Sequence, residues 1–195
     1  MCVIIAKAKG TACPDVLIMR KAMQANPDGF GIAWINRGKL EIFRTMSADE
    51  MEKYYYANFD KLEASAFVFH ARWATHGTKT ISNCHGWKCL NGKRAFFHNG
   101  VLDIAARDNM TDSETFLRDI YEPIADKCGD EAAERAINAV IGNSKFAFID
   151  NRGSVKLYGR YIEKNGIFFS NLNFVNSYHT GHVERYYNPF ARYYK

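Results

Sequence analysis

The chain has 195 residues, of which 47% are hydrophobic and 24% charged, and its formal net charge is +5. This composition is that of an ordinary globular protein, and we expect one domain over residues 1–195 with a Tyr- and Arg-rich tail from about residue 176. No stretch approaches the ~18 consecutive apolar residues that cross a bilayer. Because no secretory signal is visible either, we expect a cytoplasmic protein without a membrane partner.

A strand is predicted directly behind the initiator methionine, in the opening stretch MCVIIAKAKG, so that Cys2 is its first residue. Ser47 is the expected N-cap of a later helix with acidic residues in its first turn. After the first strand, hydrophobic periodicity predicts, in order, a helix over 14–26, a hairpin over 29–45 with its turn at 36–38, and a helix over 47–59.

In the rest of the chain, predicted strands come before and after a pair of predicted helices. A buried strand is predicted over 64–73, and a second over 94–102 turns at Asn99-Gly100, a dipeptide typical of hairpins. The elements predicted after it are helices over 112–126 and 130–142 and strands over 145–150, 154–160 and 166–171. Hairpins in place of regular βα alternation favour antiparallel layering. We therefore predict an α+β fold, a four-layer αββα sandwich of two antiparallel sheets.

The distribution of charge does not predict a nucleic-acid partner, since Lys and Arg are spread along the chain. The C-terminal stretch ERYYNPFARYYK interleaves basic and aromatic residues. Such a pattern occurs in grooves that bind single-stranded nucleic acid, at protein interfaces, and in tails that pack on their own domain. The sequence leaves these three interpretations of the tail open.

Five cysteines, an odd number, in a chain without a visible signal indicate a reducing compartment in which disulfides are rare. Cys84, His85 and Cys89 are close enough in sequence to suggest a zinc site. Zinc sites usually bring two close pairs of ligands, whereas Cys13 and Cys128 are isolated. We therefore expect neither a metal nor a cofactor.

Cys2 has two interpretations. It is either a small apolar residue at the start of a buried strand, or a nucleophile that becomes the N-terminal residue when Met1 is removed. The small side chain of cysteine permits that removal. The freed α-amine has a reference pKa of ~7.7–8.0, close to working pH. It can therefore serve as the base for its own thiol, directly or through one water.

Four further residues match the needs of an attack on a carbonyl group. The amide of Asn99 and the backbone N–H of Gly100 are suitable donors for the oxyanion that forms. Arg72 and Asp112 can hold the carboxylate and the ammonium group of a substrate. Each also has a structural interpretation: a plain Asn-Gly turn, a surface arginine, and a helix N-cap. The same holds for four histidines, which we expect to be structural rather than ligands or bases: His70, His76, His85 and His98.

Several short motifs are similar to those of a known family. Six stretches match its motifs: NPDGFGIAW, HARWATHG, NCHGW, HNG, DSET and FFSNLNFV. HARWATHG is similar to an R-x-A-T-H-G box, HNG to an oxyanion motif, and DSET to a D-T-E-type box that binds an amino group. Gly86 departs from the pattern, which usually has proline there. From Cys2 to about residue 175 the chain resembles the class II glutamine amidotransferase domain, an N-terminal-nucleophile (Ntn) hydrolase with an αββα fold.

By this resemblance, Cys2 would attack the carboxamide carbon of glutamine or of a γ-glutamyl compound, while Asn99 and Gly100 hold the oxyanion. Ammonia or an amine would leave, and water would cleave the γ-glutamyl thioester. A small-molecule substrate is the implied partner, and the residues leave open whether a separate enzyme accepts the ammonia. Two alternatives also stay open: a non-catalytic Ntn-fold binding or interaction protein, and a hydrolase of a different amino-acid-like amide.

The resemblance also implies a substrate pocket. Arg72 would bind the α-carboxylate of glutamine, and Asp112 would bind its α-amino group. The other residues implied in this pocket are Thr75 and His76, which would assist Arg72, Trp73 in the wall, and Asp28 and Gly29 near the nucleophile.

Overall fold

The computed structural model describes residues 2–74, 78–107 and 110–175. Its strands, in chain order, are β1 (Val3–Lys7), β2 (Phe30–Asn36), β3 (Lys39–Thr45), β4 (Phe67–Ala71), β5 (Trp87–Cys89), β6 (Arg94–Asn99), β7 (Lys145–Asp150), β8 (Val155–Tyr158), β9 (Ile162–Lys164) and β10 (Ile167–Phe169). Its α-helices are α1 (Val16–Ala25), α2 (Ala48–Ala57), α3 (Phe59–Glu63), α4 (Asp112–Thr115) and α5 (Glu122–Val140). A 3₁₀ turn at Ile81–Asn83 and a π-helical segment at Phe116–Tyr121 complete the helical elements of these ranges. None of the helices in the described part of the chain combines the length and the apolar character of a membrane span.

The strands form two antiparallel sheets that pack face to face. One has the order β3-β2-β4-β1-β10-β9, and the other has the order β5-β6-β7-β8. An apolar cluster between the sheets is rich in alanine: Ala6, Ala33, Ala66, Ala95 and Ala147. A second cluster joins the six-stranded sheet to α1 and α2, and a third joins the four-stranded sheet to the helical segments around α5. The predicted α+β fold, an αββα sandwich, is therefore confirmed.

The first strand, β1, lies in the middle of the six-stranded sheet and is buried on both faces. Val3 and Ile5 belong to the cluster under α1 and α2, whereas Ile4 and Ala6 belong to the cluster between the sheets. A short, continuous apolar run suits a strand that is covered on both sides. The start of the chain is thereby fixed at one end of the sandwich.

Most predicted elements are present, with ends that shift by a few residues. In the hairpin of β2 and β3, Arg37 and Gly38 have φ values of 49° and 78°, as a type I′ turn requires. The two helices predicted between 112 and 142 form one helical stretch that breaks at Gly129, where φ is 82°. The predicted turn at Asn99-Gly100 is wrong. Asn99 ends β6, but β6 pairs with β5 and with β7, which follows only after the helices.

Lys7 closes β1 with a fully buried ammonium group. Its Nζ donates to the backbone carbonyls of Thr11, Glu63 and Ser65 at 2.7, 3.1 and 2.6 Å. Burial lowers the pKa of Lys7, but these carbonyls provide acceptors for its three donors. Lys7 therefore joins the end of β1 to the segment that leads into β4.

Replacing Lys7 with methionine should lower the free energy of unfolding by roughly 2–3 kcal/mol, because buried carbonyls lose a charged donor. Urea denaturation of Lys7→Met measures the change, with Lys9→Met, an exposed lysine two residues further on, as the matched control. If the two variants were equally stable, the hydrogen bonds of Lys7 would contribute nothing to stability.

Candidate active site

The ends of several strands meet at one end of the sandwich. Val3 at the start of β1 pairs with Ala71 at the end of β4. Asn99 at the end of β6 pairs with Lys145 at the start of β7. A cavity of about 360 Å³ lies beside these ends. Its wall includes five of the predicted site residues: Cys2, Arg72, Trp73, Gly100 and Asp112.

The Cys2 thiol is held by the backbone next to it. Its Sγ accepts from the Trp73 N–H at 3.4 Å and donates to the Trp73 carbonyl at 3.5 Å. Burial raises the pKa of the Cys2 thiol, and the hydrogen bond from Trp73 and the charge of Arg72 offset only part of that rise. Since the thiolate is the reactive form, this thiol needs a base to act as a nucleophile at neutral pH.

Arg72 and Asp112 place opposite charges on the wall of this cavity. Arg72 is only 4% exposed, and its Nη1 donates to the Thr78 carbonyl at 3.0 Å. The carboxylate of Asp112 accepts from the backbone N–H groups of Leu102 and Ser113, each at 2.7 Å. A guanidinium and a carboxylate on one cavity can hold a ligand that carries both a carboxylate and an ammonium group.

The expectation that Asp112 is the N-cap of its helix is wrong, because the residue before it, Thr111, is the N-cap of α4. The side chain of Thr111 accepts from the Glu114 N–H at 3.2 Å and caps α4, in which Asp112 is the first residue. Because Thr111 supplies the cap, the Asp112 carboxylate is left to line the cavity.

Gly100 has a φ of 144°, a conformation that residues with a side chain rarely adopt. A Cβ at this position would also collide with both the side chain and the backbone of Ser144. The Ser144 hydroxyl donates in turn to the Val101 carbonyl at 3.1 Å, so Ser144 is held against the glycine. Only glycine fits here, and no side chain of its own shields the Gly100 N–H.

Asn99 is buried and binds to the residue after β10. Its Nδ2 donates to Ser170 Oγ at 2.8 Å, whereas its Oδ1 has no hydrogen-bond partner. A half-turn of the amide would let the Ser170 hydroxyl donate to Oδ1, because a hydroxyl is both donor and acceptor. That half-turn would leave Nδ2 at the position where Oδ1 now has no partner.

Ser170 and Asn171, which are not among the predicted site residues, fix the start of the chain. Ser170 exchanges two hydrogen bonds with Ile4: its Oγ accepts from the Ile4 N–H at 2.8 Å, and its N–H donates to the Ile4 carbonyl at 2.9 Å. Asn171 Nδ2 donates to the Cys2 carbonyl at 2.8 Å. The only sequence signal for these residues is their place in the stretch FFSNLNFV.

Asp28 and Gly29 are not among the residues that line the cavity. Asp28 Oδ2 accepts from the Ala74 N–H at 2.9 Å, and Lys79 pairs with Oδ1 at 2.6 Å. The Gly29 carbonyl accepts from the Arg72 N–H at 2.9 Å. Both residues therefore support the backbone segment that contacts the thiol. Two further predicted residues, Thr75 and His76, lie outside the described residues.

Three histidines stack beside the cavity. The ring centroids of His70 and His85 are 4.1 Å apart, and those of His85 and His98 are 6.2 Å apart. Burial lowers the pKa of all three, to about 3 for His70 and about 4 for His98. His85 Nδ1 accepts from the His98 N–H at 3.0 Å, and His98 Nδ1 lies 2.6 Å from Ser113 Oγ. The three rings are therefore neutral at pH 7.

The residues that suggested a zinc site do not form one. Cys84 Sγ lies 3.5 Å from Met46 Sδ, and Cys89 Sγ donates to the Arg94 carbonyl at 3.7 Å. Within residues 2–74, 78–107 and 110–175, no three His, Cys, Asp or Glu side chains are placed to hold a metal ion.

The family of the chain follows from its similarity to known proteins. A profile described as "Glutamine amidotransferases class-II" matches residues 15–157. A glutamine–fructose-6-phosphate aminotransferase of Cyanidium caldarium is 34% identical over 123 residues, which are 60% of this chain and 20% of that protein. The enzyme of the same name from Streptococcus agalactiae serotype III is 24% identical over 173 residues, covering 81% of this chain and 28% of that protein. The chain thus spans less than a third of these relatives, and it belongs to the class II glutamine amidotransferases.

Solved structures share the fold. A glutamine phosphoribosylpyrophosphate amidotransferase from B. subtilis aligns with a TM-score of 0.55 at 14% identity, covering 87% of this chain and 42% of that one. A structure described as the allosteric regulatory enzyme of purine biosynthesis gives 0.56 at 13% identity, with coverages of 87% and 41%. The predicted Ntn-type architecture is therefore confirmed.

The geometry at Gly100 predicts that Gly100→Ala is more destabilising than Gly10→Ala by roughly 1–3 kcal/mol, the usual cost of overpacking. Gly10 is the matched control because its φ is also positive, at 87°, but a Cβ there would meet nothing within 4 Å. Urea denaturation of both variants separates the collision with Ser144 from backbone strain. Equal losses would mean that Ser144 moves aside freely.

Proposed function

We propose that the protein hydrolyses the carboxamide of glutamine, or of a related γ-glutamyl amide, with Cys2 as its nucleophile. The observation that carries this proposal is that Cys2 lines the same cavity as the Arg72 guanidinium and the Asp112 carboxylate. Membership of the class II glutamine amidotransferases supports glutamine as the nitrogen donor.

In this proposal Arg72 binds the α-carboxylate of the substrate and Asp112 binds its α-ammonium group. Both side chains are already held by backbone groups, of Thr78 and of Leu102, so little conformational freedom is lost when the substrate binds. A substrate that is anchored at both charged groups extends its side-chain amide within the cavity, where the Cys2 thiol can reach it. Trp73 forms part of the wall.

Removal of Met1 would give Cys2 a free α-amine with a pKa of ~7.7–8.0. This amine takes the proton of the half-buried thiol, whose own pKa is raised, and Sγ attacks the amide carbon. The proton then passes to the leaving nitrogen, and ammonia or an amine departs. Water cleaves the thioester in the second half of the reaction and regenerates the thiol.

The oxyanion that forms during the attack needs fixed donors. The Gly100 N–H is one, and Asn99 Nδ2 is the other once the amide has made the half-turn described above. Donors of this kind are typically worth ~3–4 kcal/mol each. Ser170 can bind the Asn99 amide in both orientations, so the half-turn breaks no hydrogen bond overall.

We also propose that a separate enzyme accepts the ammonia, since class II glutamine amidotransferases transfer the amide nitrogen of glutamine, and that the protein works in the cytoplasm. Nothing in the chemistry at Cys2 requires the acceptor, because water alone can complete each turnover.

Intact-mass spectrometry should show the loss of Met1, and Cys2→Ala should abolish ammonia release from glutamine, because Cys2 supplies both the thiol and the amine. Cys128→Ala, which removes an exposed thiol, is the control and should retain the activity. A diazoketone analogue of glutamine should add to Cys2. If Met1 is retained, or if Cys2 stays unmodified, this mechanism is wrong, and the protein is better described as a non-catalytic binding protein.

Ser170→Ala should lower kcat for glutamine roughly tenfold or more, because a misplaced Asn99 amide stabilises the oxyanion less. KM should change little, since Ser170 lines no part of the cavity. Steady-state ammonia release measures both constants, with the exposed Ser154→Ala as control. A higher KM at unchanged kcat would contradict the positioning role of Ser170.

A further inference from the structure

A second cavity, of about 280 Å³, adjoins the nucleophile. It shares four residues with the cavity that Arg72 and Asp112 line: Cys2, Trp73, Gly100 and Val101. The rest of its wall is different and comes from the end of β6, the start of β7 and the two residues before β7: Asn99, Asn143, Ser144 and Lys145. Cys2 therefore borders two cavities whose remaining walls differ in chemistry.

Hydrolysis of glutamine alone leaves most of the second cavity unfilled, because only the γ-carbonyl oxygen at Asn99 and Gly100 and the released ammonia would enter it. The γ-glutamyl part of the substrate belongs in the first cavity, where the two anchoring charges lie. The ammonia that leaves is about the size of a water molecule, whose share of liquid volume is ~30 Å³. A cavity of about 280 Å³ has room for a leaving group several times larger than ammonia.

The wall of the second cavity combines one cation with apolar surface. Among the described residues that line it, Lys145 is the only charged one. Its Nζ donates to the Asn143 carbonyl at 3.1 Å, and an ammonium group has further donors to offer. Trp73 and Val101 remain 46% and 64% exposed, although both are large and apolar. Such exposed apolar surface beside a few polar groups is typical of a ligand-binding groove.

We propose that the second cavity binds the leaving group of a γ-glutamyl amino acid. The carboxylate of the departing amino acid binds Lys145, and its side chain packs against Trp73 and Val101. The inference rests on the proposed function, because it requires Cys2 to be the nucleophile. Arg72 and Lys145 then bind the two carboxylates of one substrate, with the scissile amide between them at Cys2.

The reaction needs no reactant other than water. Cys2 Sγ bonds to the γ-carbonyl carbon, the C–N bond breaks, and the thiol proton passes through the α-amine to the departing nitrogen. Water then adds to the thioester carbon, the C–S bond breaks, and the thiol regains a proton. The sum is one γ-glutamyl amino acid and one water giving glutamate and a free amino acid.

Two substrates test the inference, because γ-glutamyl-alanine and γ-glutamyl-ethylamide have leaving groups that differ by one carboxylate. The ratio of their kcat/KM values is measured for the wild-type protein, for Lys145→Met, and for Lys39→Met, an exposed lysine that lines neither cavity. The wild-type protein should favour γ-glutamyl-alanine roughly fivefold, the scale of a partly exposed ion pair. Lys145→Met should bring the ratio to about 1, and Lys39→Met should keep the wild-type ratio.

The ratio is taken within one variant, so partial unfolding of a variant does not change it. Ammonia release from glutamine without cleavage of γ-glutamyl-alanine would overturn the inference and leave the proposed function in place. A ratio that Lys145→Met does not change would also overturn it. If none of the three amides is cleaved and the diazoketone leaves Cys2 unmodified, the proposed function and the inference both fail.

Discussion

The site depends on hydrogen bonds that hold the start of the chain in the centre of a sheet. Chain ends usually fray, but β1 is paired on both sides, with β4 and with β10. Ser170 adds two hydrogen bonds to Ile4, and Asn171 binds the Cys2 carbonyl. The position of the thiol is therefore set by residues that are almost a whole chain length away from it. Cys2, only one residue behind Met1, is therefore held as firmly as a residue inside a sheet.

Cys2 borders two cavities, and each has at least one charged side chain in its wall. Arg72 and Asp112 lie on one cavity and Lys145 on the other, while the half-buried Cys2 thiol, which borders both cavities, has a pKa raised by burial. Both sheets contribute, since Cys2 and Arg72 come from the ends of β1 and β4 and Asn99 and Lys145 from those of β6 and β7. The alanine-rich packing between the sheets is what brings these two groups of residues together.

Hydrophobic patterning predicted the layers of the fold and most of its elements, because long apolar runs and helical stripes carry strong signals. It did not predict β5 and β9, which at three residues each are too short to show alternation. The dipeptide Asn99-Gly100 predicts a hairpin because Asn-Gly is typical of hairpin turns. The structure instead requires glycine at position 100 because of Ser144, which is distant in sequence and leaves no room for a side chain. The motifs predicted that Cys2, Arg72 and Asp112 share one pocket, and all three line one cavity. The contacts of Ser170 and Asn171 could not be predicted, because they depend on strand pairing across the whole chain.

The stacked histidines make folding sensitive to acid. In the unfolded chain each would bind a proton near pH 6.5, whereas burial holds the pKa of His70 at about 3 and that of His98 at about 4. Below pH 6.5 the unfolded chain therefore takes up more protons than the folded one, and acidification favours unfolding until the folded rings also titrate. At higher pH both states are neutral at these positions and the effect vanishes. A loss of turnover in mild acid would thus report proton-driven opening of the sandwich as readily as titration of a catalytic group.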